Sequence, residues 1–296
     1  MKSIKILFAF SLLLFFISCK KTDSGGGTSA IDAKTMLNVA YGTDAAQKMD
    51  IYLPANRSTS TTKVIVLIHG GAWTSGDKTD FSTLNNGMTI TDTLKNRLPE
   101  YAIFNINYRL AAGTTNLFPT QENDVKAAID FIYANAGIYL INNSKWTVIG
   151  ASAGAHLAML QAFKYSLPVK FKTVASLFGP SDMTDMYNNP VGGNPVLGSL
   201  IIAVMGGTPA TMPALYSSSS PVNFINSSSS PTILFHGGAD PLVRPSQSTA
   251  VQSKLTTAGV ANQYVFYPTG GHGDWDAATY KDVFNKVQAF FTVNNP

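Results

Sequence analysis

The sequence predicts an α/β fold, a three-layer α/β/α sandwich in which helices cover both faces of a mostly parallel central sheet. Three observations carry that expectation. From residue 64 onward, strand-like and helix-like segments alternate, the pattern of strands joined by crossover helices. The run Val64-Ile65-Val66-Leu67-Ile68 is apolar on both faces, as a strand inside a parallel sheet must be. At 296 residues and 45% hydrophobic content, the chain can bury one large core.

At the N-terminus, Lys2 and Lys5 precede a predominantly apolar stretch, residues 6–17. It is shorter than the roughly 20 residues that span a bilayer and suits the core of a signal peptide over residues 1–18. Phe16-Ile17-Ser18-Cys19 follows, and Cys19 is the only cysteine. This resembles a bacterial lipoprotein signal, in which the cysteine becomes a lipidated N-terminus. Phe16 and Ile17 depart from the usual Leu and small residue of that motif. The alternative is an ordinary secretory signal with an incidental cysteine. With one thiol there is no disulfide framework and no cysteine-based metal or redox site. Residues 19–30, polar and Gly-rich, read as a flexible tether.

Beyond the tether, residues 36–41 and 48–53 read as two strands joined as a hairpin, Pro54 stopping the second. Strand 64–68 runs into His69-Gly70-Gly71-Ala72-Trp73. Residues 84–98 read as a helix, 101–108 as a strand, and 122–134 as a helix with apolar spacing at Val125, Ala128, Ile129 and Ile132. Strands are expected at 173–178, 233–236 and 264–267, with a closing helix over 277–293. Residues 183–226 interrupt the alternation with Pro190, Pro195, Pro209, Pro213 and Pro221 and a four-serine run. They read as a lid-like insertion over the C-terminal edge of the sheet, within one domain spanning 31–296.

The chemistry centres on Thr147 to Leu160, T-V-I-G-A-S-A-G-A-H-L-A-M-L. An apolar strand meets an alanine-rich helix through Gly150-Ala151-Ser152-Ala153-Gly154, a G-x-S-x-G elbow. Such a turn holds its serine in a strained backbone conformation and tolerates only the smallest side chains two residues away. In a chain with 24 Gly the pattern alone decides little, so partners must be found. Of four histidines, His272 stands in Tyr267-Pro268-Thr269-Gly270-Gly271-His272-Gly273, after the final strand. Asp240, in His236-Gly237-Gly238-Ala239-Asp240-Pro241, follows the strand before it, and Asp182 follows an earlier one.

Serine is a poor nucleophile until a base takes its proton. Histidine has the side chain whose ordinary pKa lies near neutrality, and a carboxylate fixes its tautomer. Ser152, Asp240 and His272 therefore form the expected catalytic set, with Asp182 the alternative acid. The N–H groups of Gly71, Ala72 and Ala153 are the expected oxyanion donors. Trp73 and Trp275 flank the site and can contact substrate or belong to the core. His156, His236 and His69 read as packing, turn-forming and loop-bracing residues. Arg109 and Asp124 read as buried polar scaffolding.

These residues resemble the α/β-hydrolase family, in its esterase/lipase branch, over residues 36–296. Narrower matches are H-G-G-x-W at His69 to Trp73 with Gly76-Asp77-Lys78, Asn107-Tyr108-Arg109-Leu110, Phe118-Pro119 to Asp124-Val125, and the elbow with His156 and Leu157. They are similar to bacterial feruloyl and acetyl xylan esterases and, more distantly, to arylformamidases. Ala72 departs from the commoner H-G-G-G pattern, although alanine still donates its N–H. The resemblance favours Asp240 as the acid, since the fold usually places it after the penultimate strand.

An exported serine carboxylesterase follows, acting on short acyl or feruloyl esters of small molecules or plant polysaccharide and held to a bacterial envelope membrane through Cys19. An arylformamidase or peptidase using the same triad is the nearest alternative, and an inactive hydrolase-fold binding protein the alternative of another class. No cofactor or metal is expected, since the histidines lack ligand spacing and no Gly-Lys phosphate motif occurs. Nucleic acid is not an expected partner. Lys2 and Lys5 belong to the first 18 residues, which leaves 19 basic against 17 acidic side chains, without basic runs interleaved with aromatics.

Overall fold

The computed structural model describes residues 30–82 and 89–296. The expected signal stretch, Cys19 and the tether up to residue 29 lie outside the described residues. Residues Ile31–Pro296 form one compact unit.

The chain opens with an antiparallel pair, Lys34–Ala40 (β1) and Lys48–Leu53 (β2), and then enters the sheet interior with Lys63–Ile68 (β3). Helix Ile90–Arg97 (α1) starts where the Thr89 hydroxyl accepts the Asp92 N–H, so its described part begins later than the sequence spacing suggests. Strand Tyr101–Ile106 (β4) is two residues shorter than expected and is followed by Asn107, whose N–H still donates to the Lys48 carbonyl at 2.9 Å. The Asn107 side chain accepts the Lys78 N–H at 2.6 Å and donates to Asp77 at 2.6 Å, pinning the loop after β3. Helices Thr120–Ala134 (α2) and Ala136–Tyr139 (α3) lead to Trp146–Ala151 (β5), and Ala153–Lys164 (α4) leads to Thr173–Leu177 (β6).

Residues 183–226 then fold as helices Met183–Asn188 (α5), Pro195–Met205 (α6) and Pro213–Ser218 (α7). Proline stands first in α6 and α7, where its missing N–H costs nothing, and the Asn194 side chain caps α6. Thr232–Gly237 (β7), Ser246–Thr257 (α8), Asn262–Tyr267 (β8) and Ala277–Asn294 (α9) complete the chain. The sequence reading did not anticipate α8, whose buried side chains include Gln247 and Ser248 beside Val251 and Leu255.

Among the described residues the strands form one eight-stranded sheet in the order β1-β2-β4-β3-β5-β6-β7-β8. The pairs involving β2 are antiparallel, and β4 through β8 are parallel. Successive side chains of β3 divide the core in two. Val64, Val66 and Ile68 pack under α2, α4 and the insertion, whereas Ile65 and Leu67 pack under α1 and α9. Met183, Ile201, Val204, Met205 and Tyr216 of the insertion join the first of these cores. Ser152, Asp240 and His272 follow β5, β7 and β8, at one edge of this sheet.

Candidate active site

Ser152 sits between β5 and α4 at φ 54°, ψ −121°, a conformation that L-residues rarely adopt. Its neighbours enforce it. A Cβ at position 150 would run into the Gly154 carbonyl, and one at position 154 into the carbonyl of Ile68 at the end of β3. The Ser152 N–H donates to Leu177 on β6 at 2.9 Å, fixing the turn to the sheet.

The hydroxyl of Ser152 donates to His272 Nε2 at 2.8 Å, and His272 Nδ1–H donates to Asp240 Oδ2 at 2.7 Å. The carboxylate can only accept, which assigns the tautomer. The other oxygen of Asp240 accepts the N–H groups of Leu242 and Val243 at 2.8 and 2.9 Å. Burial pushes the Asp240 carboxyl up. Its contacts with His236, His272 and the Val243 N–H outweigh burial and hold it well below the usual carboxylate range. His236 is itself held by Ser248 of α8 at 2.7 Å and by the Val243 carbonyl at 2.9 Å.

The two loops carrying acid and base are zipped together. The N–H groups of Gly238 and Ala239 donate to the carbonyls of Tyr267 and Gly270 at 2.8 and 2.9 Å. A side chain at Gly237 would collide with the Gly270 and Gly271 carbonyls, so the H-G-G motif at 236–238 permits this approach. The His272 ring rests on Phe178 at 4.6 Å. Trp275 is 7% exposed, packs edge-on against Phe178 and donates to the Gly271 carbonyl at 3.0 Å. It buttresses the His272 loop from behind and does not line the site.

The glycine loop after β3 runs through three successive positive φ angles, 98° at Gly71, 52° at Ala72 and 61° at Trp73. Among the described residues, the N–H groups of Gly71, Ala72 and Ala153 donate to no backbone carbonyl outside the regular elements, and Gly71 and Ala72 border the same cleft as Ser152. Tyr108 braces the loop. Its hydroxyl lies 3.1 and 2.9 Å from the carbonyls of His69 and Gly70, and its ring stacks on His69 at 4.3 Å. Trp73 is 2% exposed, and its indole N–H donates to His156 Nδ1 at 3.2 Å. His156 Nε2–H donates in turn to the Ser219 carbonyl at 2.7 Å. Burial pushes the His156 pKa down to about 4, so a neutral imidazole links glycine loop, elbow helix and insertion.

Asp182 caps α5 by accepting the Asp185 N–H at 3.0 Å, a role apart from His272. Arg109 and Asp124 form a bidentate pair at 2.6 and 2.8 Å, with Gln47 donating to the same carboxylate at 2.8 Å. Two hollows meet at Ser152. An open cleft of about 400 Å³ contains His272, His69 and Asp80. A hollow of about 60 Å³ on the other side is walled by one edge of Trp73 and by Met186, Leu197, Leu200 and Ile201. The sequence analysis did not single out these insertion residues. The apolar spacing within P-V-L-G-S-L-I-I-A-V-M was the available signal.

The family model described as BD-FAE matches residues 49–255, from β2 into α8. The chain belongs to the BD-FAE family. The matched span contains the glycine loop, the elbow and Asp240, and ends before His272. Esterase LipQ of Mycobacterium tuberculosis is 29% identical to this BD-FAE chain over 231 residues, 74% of this chain and 52% of LipQ. The chain spans about half the length of the curated relatives it matches. A solved structure described as a truncated form of carbohydrate esterase from gut microbiota has a TM-score of 0.71 at 24% identity, covering 88% of this chain and 96% of that one. A bifunctional GH43-CE from Bacteroides eggerthii gives 0.72 at 28% identity, with 88% of this chain and 35% of that one covered. The BD-FAE chain thus has the α/β-hydrolase fold. In chemical terms its site offers a serine hydroxyl against an imidazole backed by a carboxylate, the arrangement nucleophilic acyl transfer needs.

Proposed function

We propose that the protein is a serine carboxylesterase in which Ser152 is the nucleophile, His272 the general base and Asp240 the orienting acid. The observation that carries this is the unbroken hydrogen-bond chain from Ser152 through His272 to Asp240 on a strained elbow. As Ser152 Oγ attacks the ester carbonyl, its proton passes to His272 Nε2. The developing oxyanion accepts from the N–H groups of Gly71, Ala72 and Ala153. The imidazolium then gives the proton to the departing alcohol. Water, activated by the same imidazole, releases the acid from the acyl-enzyme.

The substrates are esters on plant polysaccharide, with short acyl and feruloyl groups as the two candidate acyl classes. The carbohydrate esterase and GH43-CE structures support that choice by likeness. Cys19 is the proposed lipid attachment point of an exported protein, supported by the apolar stretch before it. Turnover of 4-nitrophenyl acetate, lost in Ser152→Ala, tests the esterase; equal inertness of both proteins refutes it. Acetylated xylan and methyl ferulate, compared by kcat/KM, test the ester class. Incorporation of labelled fatty acid, absent in Cys19→Ser, tests the anchor.

A further inference from the structure

Hydrolysis has a direction, and the two hollows at Ser152 are not equivalent to it. The leaving alcohol must receive its proton from His272, so it departs on the side where His272 is exposed. That is the cleft of about 400 Å³, bordered by His69, Asp80 and His272, wide enough for a sugar residue and its neighbours. His272 does not border the second hollow, which shares Ala72, Ser152 and Leu242 with the cleft. A carbonyl carbon on Ser152, with its oxygen toward the Ala72 N–H and its alcohol toward His272, turns its acyl group into that second hollow.

We infer that this hollow, walled by Met186 of α5 and Leu197, Leu200 and Ile201 of α6, is an acyl pocket that admits acetyl and propionyl groups and excludes feruloyl. The inference rests on the serine esterase proposed above. The hollow holds about 60 Å³. An apolar cavity that takes a benzene ring measures about 150 Å³, so this hollow suits a short aliphatic acyl chain and not a substituted ring. An acyl group bearing a substituted aromatic ring has no room there. The walls also lack the hydrogen-bonding groups that a phenol would need: those contributed by the insertion are all apolar, and Trp73 has committed its N–H to His156. Side-chain size on α6 therefore sets acyl length, while the cleft is left to the alcohol.

The test uses the purified protein with 4-nitrophenyl acetate, propionate, butyrate and hexanoate, which share a leaving group and differ only in the acyl chain. Methyl ferulate and methyl acetate form a second pair. In wild type, kcat/KM is expected to hold from acetate to propionate and to fall about tenfold or more by hexanoate, with methyl ferulate inert. Leu200→Ala, at a half-buried position that leaves the core intact, is expected to raise the hexanoate-to-acetate ratio about tenfold. Ile201→Ala, deeper in the wall, should move it in the same direction, with circular dichroism confirming the fold. A flat chain-length profile, efficient methyl ferulate hydrolysis, or Leu200→Ala and Ile201→Ala lowering every ester equally would overturn the acyl pocket and leave the esterase standing. Inertness toward all the esters would overturn both.

Discussion

Two parts of the molecule meet at Ser152 and are held by different forces. On the sheet side, Ser152, Asp240 and His272 stand on short connections whose backbones are tied by hydrogen bonds of 2.8 to 2.9 Å to neighbouring strands and loops. On the insertion side, α5, α6 and α7 are seated mainly by apolar side chains merging into the core above α4, with a few hydrogen bonds such as that from His156 to the Ser219 carbonyl. Hydrogen bonds are directional and fail over tenths of an ångström, whereas apolar contacts adjust to shape. On the proposed assignments, reactivity and acyl selectivity are separable. Substitutions on the sheet side should lower turnover of every ester, and those on the insertion side should change the ratios between them.

The largest expected effect lies on the sheet side. Ser152→Ala should lower kcat/KM on 4-nitrophenyl acetate by at least about 10⁴-fold without moving the thermal midpoint. Residual turnover near wild type would place the nucleophile elsewhere and erase the contrast. The paired acids sharpen it next. Asp240→Asn should cost about 10⁴-fold in kcat, because the asparagine cannot hold the same imidazole tautomer. Asp182→Asn, a change between two good helix caps, should leave kcat within about threefold. Kinetics on both variants at pH 7.5 would show the reverse order if Asp182 were the working acid.

Smaller effects probe the seam between the two parts. Burial holds the His156 pKa down at about 4, below the ordinary value of 6.5. Between these values the unfolded chain binds a proton that the native state does not, so stability falls as pH is lowered from about 6.5 toward 4. The full loss from this group is on the order of 3 kcal/mol. Urea midpoints for wild type should drop across that window, and His156→Leu should flatten the drop; parallel curves would show that another group titrates. Trp73→Phe keeps an aromatic ring but removes the donor to His156 and part of a buried indole. It should cost at least about 1 kcal/mol in the same urea assay and, because Trp73 also walls the small hollow, raise the hexanoate-to-acetate ratio.

Much of the site could be read from the chain because each part carries a local steric demand. The elbow glycines answer to carbonyls at Gly154 and Ile68, and the glycine pair after His236 answers to a loop pressing on it. Polar support was harder to read. Helix α8 escaped because its inward face is partly Gln247 and Ser248, which leaves a weak 3.6-residue period. Those residues are buried because they satisfy neighbouring loops: Gln247 accepts the N–H groups of Ser181 and Asp182, and Ser248 holds His236. The prolines of the insertion read as loop signals, yet two of them open helices.

By itself, then, the sequence determined the sheet, the elbow and the loops at the strand ends, since strand periodicity and glycine placement are local properties of the backbone. Only the tertiary structure decided which acid faces His272, that Trp275 stands behind the site while Trp73 bridges to His156, and how small the hollow under α6 is. Those depend on distances between residues far apart in the chain, fixed by core packing and by hydrogen bonds that no single segment contains.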